Sequence, residues 1–234
     1  MDPEFQRLVD AAAEVAATGR WDAVNERIKN LAANPGPDSA WHVQILGCLC
    51  SQLFSEYLLL KRAYGDESDR DSSLLAWRAR NLLELTVWSL YCGKGLVNAR
   101  RLYEDAGRDV VGIYSAYEKW GTATVKEAEL INLFSSAKQE LSIRAAADGI
   151  VSLDGDFKKV NEAAEEVGIG EHFRLSYKML SKFAHPTAMR ILAPPDDARN
   201  ALQRDCFFSQ GCLYFRGAFD SLESQLAGAA LRPQ

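Results

Sequence analysis

The stretch from Leu74 to Cys92, LLAWRARNLLELTVWSLYC, contains neither glycine nor proline. Its apolar residues recur at intervals of three and four, which is the spacing of one face of an α-helix. Gly93 follows directly and is a typical helix end. The sequence therefore predicts a long core helix in which polar residues, among them Arg80 and Glu84, interrupt the apolar face. That face is formed by Leu75, Leu82, Leu85 and Trp88.

Segments of the same kind lie on both sides of this stretch. The first 34 residues predict two helices joined at Gly19, residues 38–64 predict a long apolar helix, and residues 196–227 predict the last one. No alternating apolar pattern of useful length indicates a β-strand. We predict an all-α fold, an up-and-down helical bundle with an N-terminal helical hairpin.

Breaks rich in proline, glycine and aspartate suggest how the chain is divided. Residues 1–5, MDPEF, look like the remnant of a vector cloning site and are set aside. Residues 6–34 are the predicted hairpin, and the break at Asn34–Asp38 separates it from the main bundle at 38–227. Residues 228–234 are expected to fray as a tail.

A second stretch, Glu171–Arg190 with the sequence EHFRLSYKMLSKFAHPTAMR, predicts a helix that ends at a His-Pro step. Tyr177, Ser181 and His185 are spaced four apart, so we expect a phenol, a hydroxyl and an imidazole on one helix face. Proline disfavours helical geometry in the residue before it. His185 is therefore expected at the helix end, where its ring can turn toward a neighbour.

The composition is that of a mildly acidic globular protein. Apolar residues make up 47% and charged residues 25% of the 234 residues, and the net charge is −5, which gives no overall basic field to attract nucleic acid. The five cysteines lie in apolar helical patterns, where we expect buried free thiols. No apolar run approaches the ~20 residues of a membrane span. We therefore expect a cytoplasmic protein without a membrane segment.

Motifs for metals, nucleotides and catalytic nucleophiles are missing from the sequence. None of the three histidines belongs to an HExxH motif, and no Glu-x-x-His pair recurs as in di-iron bundles. The sequence contains no P-loop, no GxGxxG fingerprint and no GxSxG elbow. We predict no metal site and no cofactor.

Two of the predicted helices together carry groups suited to an anionic ligand. Arg80 would bind the anion and His185 would move a proton, while Glu84, Tyr177 and Ser181 would contact the ligand. The same residues also fit a structural role. In that case Arg80 and Glu84 form an ion pair within one helix, and Tyr177 and His185 hold the helices together.

The motifs at Arg80–Glu84 (RNLLE) and Tyr177–Pro186 (YKMLSKFAHP) resemble those of a group of mainly bacterial, all-helical proteins of unknown function, over roughly residues 40–225. That group in turn resembles the HEPN superfamily (higher eukaryotes and prokaryotes nucleotide-binding). Many HEPN proteins are metal-independent ribonucleases of toxin–antitoxin and phage-defence systems, often acting as dimers. Their active members carry an arginine followed four to six residues later by a histidine. Here the resemblance implies a pair assembled from two helices, Arg80 and His185.

The leading hypothesis is a cytoplasmic, bacterial, HEPN-like bundle, expected as a homodimer, that binds a ligand or partner through a cleft at Arg80, Glu84 and His185. A role in stress or phage defence follows from the resemblance. One alternative is a toxin-like, metal-independent ribonuclease in which Arg80 and His185 are catalytic. Another is a module for protein interaction whose polar column is structural. RNA, a nucleotide and a second protein are the candidate partners.

Overall fold

The structure is a computed structural model that describes residues 1–33, 40–66, 71–122, 128–150, 152–153, 155–192 and 195–229. No strand occurs in these ranges, which confirms the predicted all-α fold. The predicted linker at 34–38 and the tail beyond residue 229 lie outside them. The helices are α1 (Pro3–Ala17), α2 (Arg20–Ala33), α3 (Ala40–Gly65), α4 (Ser73–Gly93), α5 (Leu96–Trp120), α6 (Ala128–Ala147), α7 (Val160–Glu166), α8 (Gly170–Ala184), α9 (Ala188–Leu192) and α10 (Asp197–Ala229).

The chain divides into two compact units. Unit 1 comprises Met1–Leu96 and Val160–Gln234, and unit 2 comprises Val97–Lys159. In unit 1, α4 is the central helix because it packs against α3, α7, α8 and α10. Its apolar face is fully buried at Leu75, Leu82 and Val87, as the leucine spacing requires.

Aromatic residues of α10 stack on those of α3 within unit 1. The rings of Tyr57 and Phe215 are 3.9 Å apart between centroids, and those of Tyr64 and Phe208 are 4.0 Å apart. Both phenylalanines are almost completely buried. Because each aromatic side chain buries a large apolar area, these pairs are a major part of the core of unit 1.

Helices α1 and α2 pack in unit 1 through contacts with α3 and α10. The indole of Trp21 stacks on Phe54 of α3 with 4.0 Å between ring centroids. Arg20 forms ion pairs with Asp220, at 2.7 Å, and with Glu223, both on α10. Helix α2 is thus held by the aromatic contacts of Trp21 and a small ion-pair network, while α1 packs on α10 and buries Ala12 and Val15.

A buried carboxylate organises unit 2. The side chain of Asp105 on α5 is only 5% exposed. It accepts hydrogen bonds from Arg101 and from Arg108 on the same helix, and from the backbone N–H of Lys158. A buried charge is tolerated only when it is paired in this way, so Asp105 links α5 to the segment that follows α6.

Helix α3 is the one helix among the described residues that is long and apolar enough to cross a membrane. A core helix meets the same criteria, so this is weak evidence for a membrane span. The buried side of α3 belongs to the packed core of unit 1, where it contacts α2, α4 and α10. The buried residues of α3 are Val43, Ile45, Leu46, Leu49, Cys50, Leu53, Tyr57 and Leu60.

The cysteines differ in exposure. Cys50, Cys92 and Cys212 are buried, Cys206 is half-buried and Cys48 is exposed. The expectation that all five are buried is therefore wrong for Cys48 and only partly met by Cys206. Residues two positions apart on a helix point to different faces, so only one of Cys48 and Cys50 can face the core.

Candidate functional site

The first part of the site comes from the middle of α4. Arg80 and Glu84 are one helical turn apart, and the side chains are 20% and 30% exposed. Their helix neighbours Ala79, Leu82 and Leu83 are fully buried. Burial of these neighbours fixes the rotation of α4 and leaves Arg80 and Glu84 at the edge of the core.

The second part comes from the end of α8. The helix ends at Ala184, and His185 has an extended backbone with φ −113° and ψ 154°. Pro186 explains this geometry, because its ring disfavours the helical region for the residue before it. His185 is exposed and Tyr177, two turns earlier, is half-buried.

Arg80 contacts three of the residues predicted for the site. Its Nε donates to Oε1 of Glu84 at 3.2 Å, its Nη2 to the hydroxyl of Tyr177 at 2.6 Å, and its Nη1 to Nε2 of His185 at 3.0 Å. The guanidinium carbon also lies 4.5 Å from the centroid of the Tyr177 ring, a cation–π contact. The structure thus brings Arg80, Glu84, Tyr177 and His185 together around one cation.

Ser181 has a different environment. Its hydroxyl is buried and has no hydrogen-bond partner among the described residues. Other helical hydroxyls donate to the carbonyl four residues earlier, as Thr86 does to Leu82. Ser181 lies one turn from both Tyr177 and His185, and a buried hydroxyl without a partner is costly. Its donor and acceptor capacity is therefore unused.

The hydrogen bonds of Arg80 leave donors available. A guanidinium has five N–H groups and no acceptor. Among the described residues, three are used by Glu84, Tyr177 and His185, so two remain, one on each terminal nitrogen. The hydroxyl of Tyr177 accepts from Arg80 and has no acceptor for its own proton among the described residues. Arg80 and Tyr177 can therefore both donate further hydrogen bonds to an anion.

Other features of the described residues do not form a competing site. No group of three or more His, Cys, Asp or Glu side chains there is placed to hold a metal ion. A shallow depression in unit 2 includes none of the residues around Arg80; it is lined by Ser115, Glu118, Lys119, Thr122 and Lys138.

Two residues near the site were not singled out from the sequence. Arg190 of α9 donates to the carbonyl of Phe183 and to Oδ1 of Asp71, the latter at 2.6 Å. Arg190 and Asp71 are 119 positions apart and belong to no helical spacing pattern. The sequence carries no signal that would pair them, although Arg190 lies within the same stretch as His185.

Comparison with known proteins identifies one family. The model of a family described as "Family of unknown function (DUF5677)" matches residues 45–196, well over half of the chain. This range includes α4, α8 and all the residues around Arg80. No curated protein and no solved structure matches.

Proposed function

The chain belongs to the DUF5677 family of unknown function, and we propose that it is a HEPN-like bundle that binds the phosphate group of a nucleotide or RNA ligand at Arg80. The observation that carries this proposal is the hydrogen-bond arrangement of that guanidinium. Glu84, Tyr177 and His185 hold it in place, and two of its N–H groups have no acceptor in the part of the chain that the structure describes. A fixed guanidinium with free donors is well suited to a phosphate, which accepts two parallel hydrogen bonds.

The surface of α8 supports an anionic ligand. Lys178 and Lys182 are exposed on the helix that carries Tyr177, and neither has an ion-pair partner among the described residues. They add positive charge close in sequence to Tyr177 and His185, although the chain as a whole is acidic. A local cluster of cations raises the concentration of anions at its surface even when the net charge is negative.

A metal-independent ribonuclease is the second candidate, and the proximity of Arg80 and His185 favours it. Arg80 only donates, so Nε2 of His185 must carry no proton and is in the form of a base. When Arg80 turns to a phosphate, Nε2 is released and becomes free to accept a proton from an attacking hydroxyl. The hydroxyl oxygen would form the new bond to phosphorus, the bond from phosphorus to the leaving oxygen would break, and the proton taken up by Nε2 would pass to that oxygen.

A module for protein interaction is the third candidate, and helix α9 favours it. Met189, Ile191 and Leu192 are 49%, 67% and 83% exposed. Exposed apolar residues that follow one another on a surface are typical of contact sites. In this case the residues around Arg80 serve only to fix the His-Pro turn next to α9.

The cellular setting is part of the proposal. From the resemblance of the two motifs we propose that the protein forms a homodimer in the bacterial cytoplasm and has a role in stress or phage defence. A size measurement in solution tests the dimer directly.

The proposed binding is tested by calorimetric titration with inorganic phosphate and with adenosine monophosphate. Arg80→Lys keeps the charge but loses the planar set of donors, and each charge-assisted hydrogen bond contributes about 1.5–3 kcal/mol. We expect at least about tenfold weaker binding. The matched control is Arg78→Lys on the same helix, since Arg78 pairs with Glu56 and has no contact with the residues around Arg80. Absence of binding by the native protein would reject the proposal.

The ribonuclease alternative needs its own assay. A mixed RNA pool is incubated with the native protein and with His185→Ala, both in the presence of EDTA. Cleavage that resists EDTA and is lost in the variant would support the nuclease. Binding of adenosine monophosphate without RNA cleavage would favour a binding protein.

A further inference from the structure

The position of His185 is not fixed by a helix. Its backbone is extended and it follows the last residue of α8, so helical hydrogen bonds do not determine where the ring lies. Thr187 donates from its backbone N–H to the carbonyl of His185 and from its hydroxyl to the carbonyl of Lys182. These bonds shape the turn, but they stay within it and do not connect it to α4, the helix that carries Arg80.

Arg190 makes the connection between the turn and α4. Its side chain is only 18% exposed. Nη1 donates to the carbonyl of Phe183 in the last turn of α8, and Nη2 pairs with Asp71 just before α4. The ring of Phe183 is itself packed against Phe207 of α10, with 5.1 Å between centroids.

Asp71 is itself held at the start of α4 by a hydrogen bond. Oδ1 of Asp71 accepts the backbone N–H of Ser73, the first residue of α4, at 2.9 Å. Ser72 between them is fully buried, and it donates from its backbone to Asn200 and from its hydroxyl to Gln203 on α10. The start of α4 is therefore fixed to α10, and Arg190 ties the turn to this fixed point.

The hydrogen-bond partners of Asp71 favour the ionised form of its carboxyl group. Burial by itself raises the pKa of Asp71, but the hydrogen bonds from Ser73 and Arg190 outweigh it and bring the pKa below its ordinary value. A carboxylate that stays ionised keeps its ion pair with Arg190 across the pH range in which proteins are usually handled.

From these contacts we infer that Arg190 is a positioning residue, which sets the hydrogen bond between His185 and Arg80 by tying the His-Pro turn to the start of α4. It acts through the turn and does not itself touch the guanidinium of Arg80. The inference rests on the proposed function, because the residue that it positions belongs to the proposed phosphate site.

The test is the tautomer of His185, read from nitrogen-15 NMR of the imidazole ring. In the native protein Nε2 accepts from Arg80, so the proton must be on Nδ1. Arg190→Gln removes the ion pair, and we expect the Nδ1–H signature of His185 to be lost and binding of inorganic phosphate to weaken about tenfold. Arg190→Lys keeps the charge near Asp71 and is expected to retain the signature in part. The control is Arg199→Gln, because Arg199 is 78% exposed and pairs only locally with Asp196.

A merely structural Arg190 would give a different result. Arg190→Gln would then lower the melting temperature but leave the tautomer of His185 and the phosphate affinity unchanged, which would overturn the inference. If Arg190→Gln fails to fold, Asp71→Asn tests the same link from the other side, because the amide oxygen can still accept from Ser73. An unchanged tautomer in Asp71→Asn would likewise overturn the inference.

The outcomes also separate this inference from the proposed function. A tautomer change in Arg190→Gln, together with no phosphate binding by the native protein, would reject the phosphate site and keep the positioning role. Phosphate binding by the native protein with no tautomer change in either variant would keep the phosphate site and reject the positioning role of Arg190.

Discussion

The guanidinium of Arg80 donates to the imidazole of His185 across 105 positions of sequence, with 3.0 Å between Nη1 and Nε2. Arginine has no acceptor, so this contact requires a neutral His185 whose proton is on Nδ1. A phosphate that accepts from the two N–H groups of Arg80 not used by Glu84, Tyr177 and His185 would leave this hydrogen bond in place. His185 would then still hold the guanidinium in place while the phosphate is bound.

Glu84 should oppose the binding of an anion at Arg80. It accepts from Nε of Arg80 at 3.2 Å and places a negative charge beside the guanidinium. Glu84→Gln keeps an acceptor for Nε and removes the charge. We expect phosphate to bind about three- to tenfold more tightly, or roughly 0.7–1.4 kcal/mol, as measured by calorimetry. Glu56→Gln, which changes the ion pair of Arg78, is the matched control. Weaker phosphate binding in Glu84→Gln would contradict the repulsion and would show that the charge of Glu84 is needed to hold the guanidinium of Arg80.

The sequence predicted the elements of the fold because helical periodicity is a local property. The core helix predicted at Leu74–Cys92 is present as α4, and the last helix predicted at 196–227 is present as α10. The division of the chain into two units was not predicted, because it depends on which helices pack together.

The arrangement around Arg80 could be predicted only in part. Spacing placed Tyr177, Ser181 and His185 on one face, but a spacing rule holds only inside a helix. His185 lies beyond the end of α8 with an extended backbone. It reaches Arg80 through the geometry of the His-Pro turn, and Ser181 has no partner among the described residues. Long-range pairs such as Arg190 with Asp71 arise from tertiary packing and leave no periodic signal.

The cysteines should react with thiol reagents at very different rates. Burial raises the pKa of Cys50, Cys92 and Cys212 to about 12, so they carry almost no thiolate near neutral pH. Cys48 is exposed. We expect Cys48 to react rapidly with Ellman's reagent in the folded protein and the three buried cysteines to react only on unfolding. Cys206 is half-buried and burial raises its pKa, so it should react more slowly than Cys48. Cys48→Ser should remove the rapid phase, and a rapid phase that persists in this variant would contradict the burial of the others.

Asp71 should stabilise the protein at neutral pH and lose this effect in acid. Its pKa is set by burial, which raises it, and by hydrogen bonds from Ser73 and Arg190, which lower it below the ordinary value. A carboxyl whose pKa is lower in the folded state contributes stability above the unfolded-state pKa of about 3.9, and this contribution is lost as the pH falls further. The free energy of unfolding of the native protein should exceed that of Asp71→Asn at pH 7, and the difference should shrink as the pH falls below about 4. Urea unfolding at a series of pH values measures this, with Asp22→Asn as a control for the loss of an exposed charge. A difference that does not change with pH would contradict the role of the ionised carboxylate.

Two glycines of α10 should respond in opposite ways to alanine. A Cβ at Gly211 would overlap with Cδ2 of Leu60, which is fully buried, so α3 and α10 approach closely at this point. At Gly217 the nearest atom to an added Cβ is Cγ2 of Thr86 at 3.9 Å, an ordinary contact. We expect Gly211→Ala to lower the free energy of unfolding by about 1–3 kcal/mol through overpacking. Gly217→Ala should leave it unchanged or raise it by up to about 1 kcal/mol, because alanine favours a helix. Urea unfolding of both variants measures the two free energies. Because the gain in helix propensity is the same in each variant, the difference between the two free energies of unfolding isolates the contact with Leu60. Equal stability of the two variants would show that α3 and α10 are not in close contact at Gly211.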